Sequence, residues 1–156
     1  MKKGMKIAAC LAAVALLFAG CGKKEAKTLD AGAFVKQVME TVSYDDDMVE
    51  LSENVLPDYY DLAFDGFVSA VVYVSGSGAT SNELAVIEVE DSNALSDAKE
   101  AVDKRRADLT ANYQDYIPAE MARIEKAIVV EEGNYLLFSI SESNESIEKL
   151  FRDSLK

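Results

Sequence analysis

Residues 127–141, AIVVEEGNYLLFSIS, constrain this chain more than any other stretch. Two apolar runs, rich in β-branched and aromatic residues, flank Gly133-Asn134, a pair suited to a two-residue hairpin turn. That turn fixes a register in which Glu132 faces Tyr135, Val130 faces Leu137 and Val129 faces Phe138. Strand alternation then puts Val129, Leu136, Phe138 and Ile140 on one face. Ile128, Val130, Tyr135 and Leu137 share the other. Both faces are apolar, so the hairpin needs cover on both sides, because a contiguous apolar patch of several hundred Å² is uncommon on a monomer.

Helical spacing supplies candidate covers. Residues 30–42 place Phe34, Val35, Val38, Met39 and Val42 on one side, with Asp30 or Thr28 as the cap. Residues 93–113 carry the stripe Leu95, Ala98, Val102, Leu109 and Tyr113, with Glu100 and Lys104 four apart on the wet side. Residues 143–155 align Ile147, Leu150, Phe151 and Leu155. Strands are expected at 67–75, FVSAVVYVS, and 83–90, ELAVIEVE, joined by a loop too long to set their register. Pro118 opens a short helix through about residue 125. The acidic, aromatic stretch 43–66, broken by Pro57, reads as an irregular connection with one helical turn near 58–62.

The resulting order, α-ββ-α-ββ-α, predicts an α+β fold: a four-stranded antiparallel or mixed sheet packed by helices. Helices 93–113 and 143–155 are expected to cover one face together. The opposite face, with Ile128, Val130, Tyr135 and Leu137, then meets either the helix at 30–42 or a partner, in a homodimer or with another envelope protein.

The N-terminal segment carries an address. Lys2, Lys3 and Lys6 precede an almost wholly apolar run, residues 7–19. Its length is that of a signal-peptide core and too short for a permanent membrane span. It ends in Phe18-Ala19-Gly20-Cys21, which resembles a bacterial lipobox cut between Gly20 and Cys21. Phe18 stands where leucine is usual, and keeps the bulk required there. Ile7-Ala8-Ala9-Cys10 also fits, but almost no apolar run precedes it. Two acyl chains on Cys21 would anchor stably, at roughly 0.8 kcal/mol per buried methylene. The expected organisation is a lipoprotein signal peptide (1–20), a lipidated tether (21–28) and a single α+β domain (29–156), on the extracytoplasmic face of the cell membrane.

Cleavage there removes three lysines and no acid, so the formal charge of −12 becomes −15. Such a chain is a poor partner for nucleic acid. Its remaining cysteine is Cys21, which rules out an intrachain disulfide and leaves stability to the core, for which about 130 residues suffice.

At YYDL, SGATSNELAVIEVED, Arg105-Arg106, YQDYIPAEM and EEGNYLLFSIS the chain resembles a family of Gram-positive bacterial lipoproteins catalogued as a domain of unknown function. The resemblance covers roughly residues 34–152 and rests on Glu83 opening a strand, an arginine inside the long helix, Tyr116 with Pro118, and Gly133 in the hairpin. It implies a lipid-anchored extracytoplasmic protein and no particular activity.

Catalytic chemistry is poorly provided for. The chain has no histidine, so a histidine triad, a histidine general base and a histidine-ligated zinc are excluded. A lipidated Cys21 removes thiolate chemistry. Ser96-Asp97-Ala98-Lys99 matches S-x-x-K, but it lies in the first turns of an amphipathic helix without its partner motifs. The SGSGAT loop does not open into a helix as a phosphate loop would. Asp61, Asp65 and Gly66 fail the EF-hand template at Ala63 and Val72. Asp45, Asp46, Asp47, Glu50 and Glu53 form an acidic run that reads as a solvated surface, with loose cation binding as the alternative. Arg105 or Arg106 is expected to pair with a carboxylate such as Glu83. No catalytic residue, metal or cofactor is assigned. The expected function is a non-catalytic binding or interaction module; a small-ligand or transporter-associated binding protein is the alternative.

The mature N-terminus should be a diacylglyceryl-modified Cys21. Intact mass of the native protein checks this, and Cys21→Ala should release the protein from membranes or leave the signal uncut.

Overall fold

The structure, a computed structural model, describes residues 28–156. The expected signal peptide, Gly20, Cys21 and the tether through Lys27 lie outside the described residues. Helix α1 (Ala31–Thr41) begins where the Asp30 carboxylate accepts the Ala33 amide at 2.9 Å, satisfying one of the orphan donors of its first turn. Then follow β1 (Met48–Glu50), α2 (Leu56–Tyr59), β2 (Phe67–Ser75), β3 (Glu83–Val89) and α3 (Leu95–Tyr116). A 3₁₀ turn at Pro118–Glu120 runs into α4 (Met121–Glu125), and β4 (Ile128–Glu132), β5 (Tyr135–Ile140) and α5 (Asn144–Ser154) complete the chain.

The fold is α+β, with one fully antiparallel sheet of five strands in the order β1-β2-β3-β5-β4. The sequence pattern predicts four strands. The extra one, β1, lies in the acidic stretch expected to be irregular. Its three residues are too few to show alternation, and it is held by pairing with β2 (Val49↔Val74, Glu50↔Tyr73). The β2–β3 register, open in the sequence, is Val74↔Glu83 through Ser69↔Glu88, with a bulge between Phe67 and Ser69. The β4–β5 register is the expected one: Val129↔Phe138, Val130↔Leu137 and Glu132↔Tyr135.

Gly133 makes the β4–β5 turn at φ 59°, where a side chain is strained. Gly66, at φ 87°, leads into β2; a Cβ there would lie 2.7 Å from the Ala94 Cβ.

Every residue of β5 is buried, so both faces of the sheet are covered as the hairpin requires. Helix α1 covers the face of Val130 and Leu137, one of the two expected arrangements, but α5 joins it there and does not lie beside α3. Helices α3 and α5 lie on opposite faces. Leu95, Ala98, Val102 and Leu109 of α3, with Leu56, Tyr60 and Ile124, pack on Leu136, Phe138, Ile140 and Ile87. Phe34, Val35 and Val38 of α1 and Ile147 and Phe151 of α5 pack on Leu84, Val86, Val130, Tyr135 and Leu137. The 22 residues of α3, about 33 Å of helix, span one face without help. On the other, the Phe34 and Phe151 rings meet edge-on with centroids 5.7 Å apart. Val130, Tyr135 and Leu137 are therefore buried, and Ile128 packs at the margin of the same cluster. These four form core under α1 and α5 and are not a free partner surface.

The sheet has two distinct ends. The turn end carries Gly133-Asn134 and the beginning of β2. The Leu29 amide donates to the Tyr135 hydroxyl there at 3.0 Å, which places the start of the described chain at that end. The loop end carries residues 76–82, between β2 and β3, and the exit of β5.

Val130→Asp with Leu137→Asp should unfold the isolated domain, since two unpaired carboxylates would enter the core at several kcal/mol each, against a total stability of about 5–15 kcal/mol. Loss of near-ultraviolet dichroism and of a cooperative urea transition checks it; a folded variant would contradict this packing.

Candidate functional site

At the loop end Glu83 opens β3 and is 1 % exposed. An ionised carboxylate so placed needs every lone pair engaged. Arg105 comes off α3 in line with it. Its Nε lies 3.0 and 3.1 Å from the two carboxylate oxygens, and its Nη2 lies 2.7 Å from Oε2. The Tyr60 hydroxyl, just past α2, donates to Oε1. Burial first, then the neighbouring Glu83, raise the Tyr60 pKa far above its ordinary range, so the hydroxyl stays protonated and remains a donor. The guanidinium also lies over the Tyr59 ring, 4.8 Å from its centroid. Two segments distant in sequence, the end of α2 and the middle of α3, are thereby fixed to one carboxylate.

A second ion network stands beside the first. Glu120, in the 3₁₀ turn, accepts the Ser81 amide and hydroxyl, each at 2.8 Å, and Arg123 Nη1 at 2.9 Å. Arg123 reaches on to Asp45 at 2.6 Å and Glu142 at 3.4 Å. Asn82 donates its amide to Asp45. The hydrogen bond from Asn82, followed by that from Arg123, holds the Asp45 pKa below the usual carboxylate range, against partial burial. Asp46 is held low in the same way by the Ser75 and Ser77 hydroxyls. A carboxyl whose pKa is lowered by folding contributes stability above its unfolded pKa, and that contribution is lost as pH falls through the folded value.

The first network, with Ser81 and Asn82 from the second, walls a cleft of about 280 Å³ between the 76–82 loop, α3 and Tyr59. Thr80, Asn82, Arg105, Asn112 and Tyr116 line it. Tyr113 ties α3 to the loop, its hydroxyl 2.5 Å from the Thr80 carbonyl oxygen and 3.0 Å from that of Gly78. Tyr116 stands at the rim, 82 % exposed. The Thr80 hydroxyl has no partner among the described residues. A larger hollow, about 390 Å³, runs beside β2 and is lined mainly by Leu56, Pro57, Leu62, Phe67 and Val68. Converging polar groups distinguish the smaller cleft as the candidate site.

Chemically, the cleft is suited to recognition. Glu83 is paired with Arg105 in its wall, and the Ser81 hydroxyl is held by the Glu120 carboxylate at 2.8 Å. The cleft lining joins the Asn112 amide and the Tyr116 ring to the Arg105 guanidinium, which Glu83 neutralises.

The expected pairing of an arginine with Glu83 is found in Arg105; Arg106 turns to Asp103 at 3.0 Å on the surface. Lys99 of the S-x-x-K match pairs with Glu131 at 2.7 Å. The SGSGAT loop does grip an anion, and that anion is the chain's own Asp46, held by Ser75 and Ser77. Asp45 and Asp46 are thus committed to different partners, and among the described residues no group of acids is placed to hold a metal ion. Sequence reasoning missed the Glu120–Arg123 network and the roles of Tyr59 and Tyr60. The three-residue spacing of Glu120 and Arg123 was the available signal, since it makes them neighbours on a helix surface.

A family model described as a domain of unknown function, DUF4358, matches residues 40–141. The chain belongs to the DUF4358 family. No curated protein and no solved structure matches it. The matched DUF4358 region takes in all five strands, α3 and every residue of the cleft, while α5 and nearly all of α1 fall outside it.

Arg105→Met should cost about 3–5 kcal/mol, because it leaves a buried carboxylate unpaired. Adding Glu83→Gln should restore most of the loss, with Tyr60 still donating. Urea denaturation of the two variants checks this; an Arg105→Met domain of unchanged stability would contradict it.

Proposed function

We propose that this DUF4358 protein is a lipid-anchored, extracytoplasmic binding module without catalytic activity, held to the membrane through Cys21. Its cleft takes an uncharged group with hydrogen-bonding capacity and an apolar face, presented by a small ligand or by a partner molecule. The observation that carries this reading is the self-neutralised cleft. Glu83 and Arg105 cancel each other in the cleft wall, so the lining carries no unpaired charge, while Asn112 and Tyr116 stay available. The lipobox-like segment supports the anchor, and its cysteine is the sole attachment point in the mature sequence. A small-ligand carrier that serves a transporter is the alternative use of the same cleft.

Asn112 is exposed on α3 at the cleft wall, so Asn112→Trp should fill the cleft and leave the fold intact. Thermal unfolding against a panel of neutral saccharides and amino-acid amides should show at least one compound that stabilises the wild type. Occupancy at a hundredfold excess over Kd adds about 2.7 kcal/mol. That gain should vanish in Asn112→Trp. Equal stabilisation of both proteins, or none of either, would count against the cleft as the binding site.

A further inference from the structure

We infer that the domain stands on the membrane by its turn end and holds the cleft outward, so that the cleft is filled by a water-borne molecule and not by a lipid head group. This rests on the anchor at Cys21 proposed above. Three observations carry it.

The first is the point of attachment. The Leu29 amide is fixed to the Tyr135 hydroxyl beside the Gly133-Asn134 turn. Residues 22–28 connect Cys21 to that point, a span of about 25 Å at full extension and about 15 Å as a relaxed chain. The turn end is therefore held close to the bilayer.

The second is distance. Strand β2, nine residues or about 30 Å, runs from the turn end to the loop end, where the cleft opens. Helix α3 runs the same way and delivers Asn112 and Tyr116 to the far end. The cleft lies a full sheet length from the attachment point.

The third is charge at the attachment. Lys23, Lys24 and Lys27 lie in the tether, where an anionic leaflet attracts them and so draws the turn end down.

The mature chain has no cysteine besides Cys21, so an introduced thiol is labelled alone once Cys21 is acylated. Ser92 is exposed at the turn end and Ala79 at the loop end. Fluorophore-labelled Ser92→Cys and Ala79→Cys lipoproteins would be reconstituted into phosphatidylcholine–phosphatidylglycerol vesicles doped with a lipid bearing a quencher on its head group. Flotation is measured first: protein that fails to float with the vesicles overturns the anchor, and this inference with it. For protein that floats, quenching at Ser92 should exceed quenching at Ala79 several-fold. Any other result with floating protein overturns the orientation and leaves the anchor standing.

Discussion

A single buried carboxylate organises the loop end of this molecule. Glu83 sits at the first position of a strand whose residues are almost all inaccessible, and its desolvation is costly unless met in full. Arg105 and Tyr60 meet it, and each requirement has structural reach. Satisfying Arg105 sets the rotation and height of a 22-residue helix over the sheet. Satisfying Tyr60 draws the α2 segment against the same core. With both in place, Tyr113 can meet the loop carbonyls and close the cleft wall. A hydrophobic replacement could match the stability of the ion pair, but it would not specify these three positions together.

Much of this was legible in the sequence, for definite reasons. Gly133-Asn134 permits only a tight reversal, so the register of β4 and β5 and the partition of their side chains followed directly. An apolar stripe at helical spacing marked α1, α3 and α5, and a buried partner for Glu83 could be sought among two adjacent arginines. Helix-to-face assignment was only partly legible: α1 was one of the two expected covers for Val130 and Leu137, where it lies, while α5 was expected on the opposite face. A stripe says that a helix must be covered and is silent on which side of the sheet it lies. The decisive contacts, Phe34 on Phe151 and the α1 residues on Val130 and Leu137, join segments about a hundred residues apart. Strand β1 was hidden because its three residues have no period of their own and depend on β2 for their hydrogen bonds.

The candidate site was only half visible, because its two networks differ in kind. Glu83 announced itself as an acid inside an apolar strand, an anomaly that demands a partner. Glu120, Arg123, Asp45 and Asn82 lie in polar stretches where such residues are ordinary. Their convergence is a product of the tertiary fold, as is the capture of Asp46 by the loop serines. Two members of the acidic run expected to be a solvated surface, Asp45 and Asp46, are taken up by these two tasks.

The sheet is open at both sides, and its outermost strands show how such openness is kept harmless. Strand β1 is three residues long and ends in Glu50, too short and too acidic to template another chain. Strand β4 is longer, and it is guarded from both faces: Lys99 of α3 binds Glu131, and Arg152 of α5 binds Glu132. Unpaired strand margins of this kind are where neighbouring molecules join into continuous sheets, and charged clasps on a margin oppose that growth. Were copies confined to a membrane plane by the proposed anchor, such insulation would keep each domain a separate unit at high surface density.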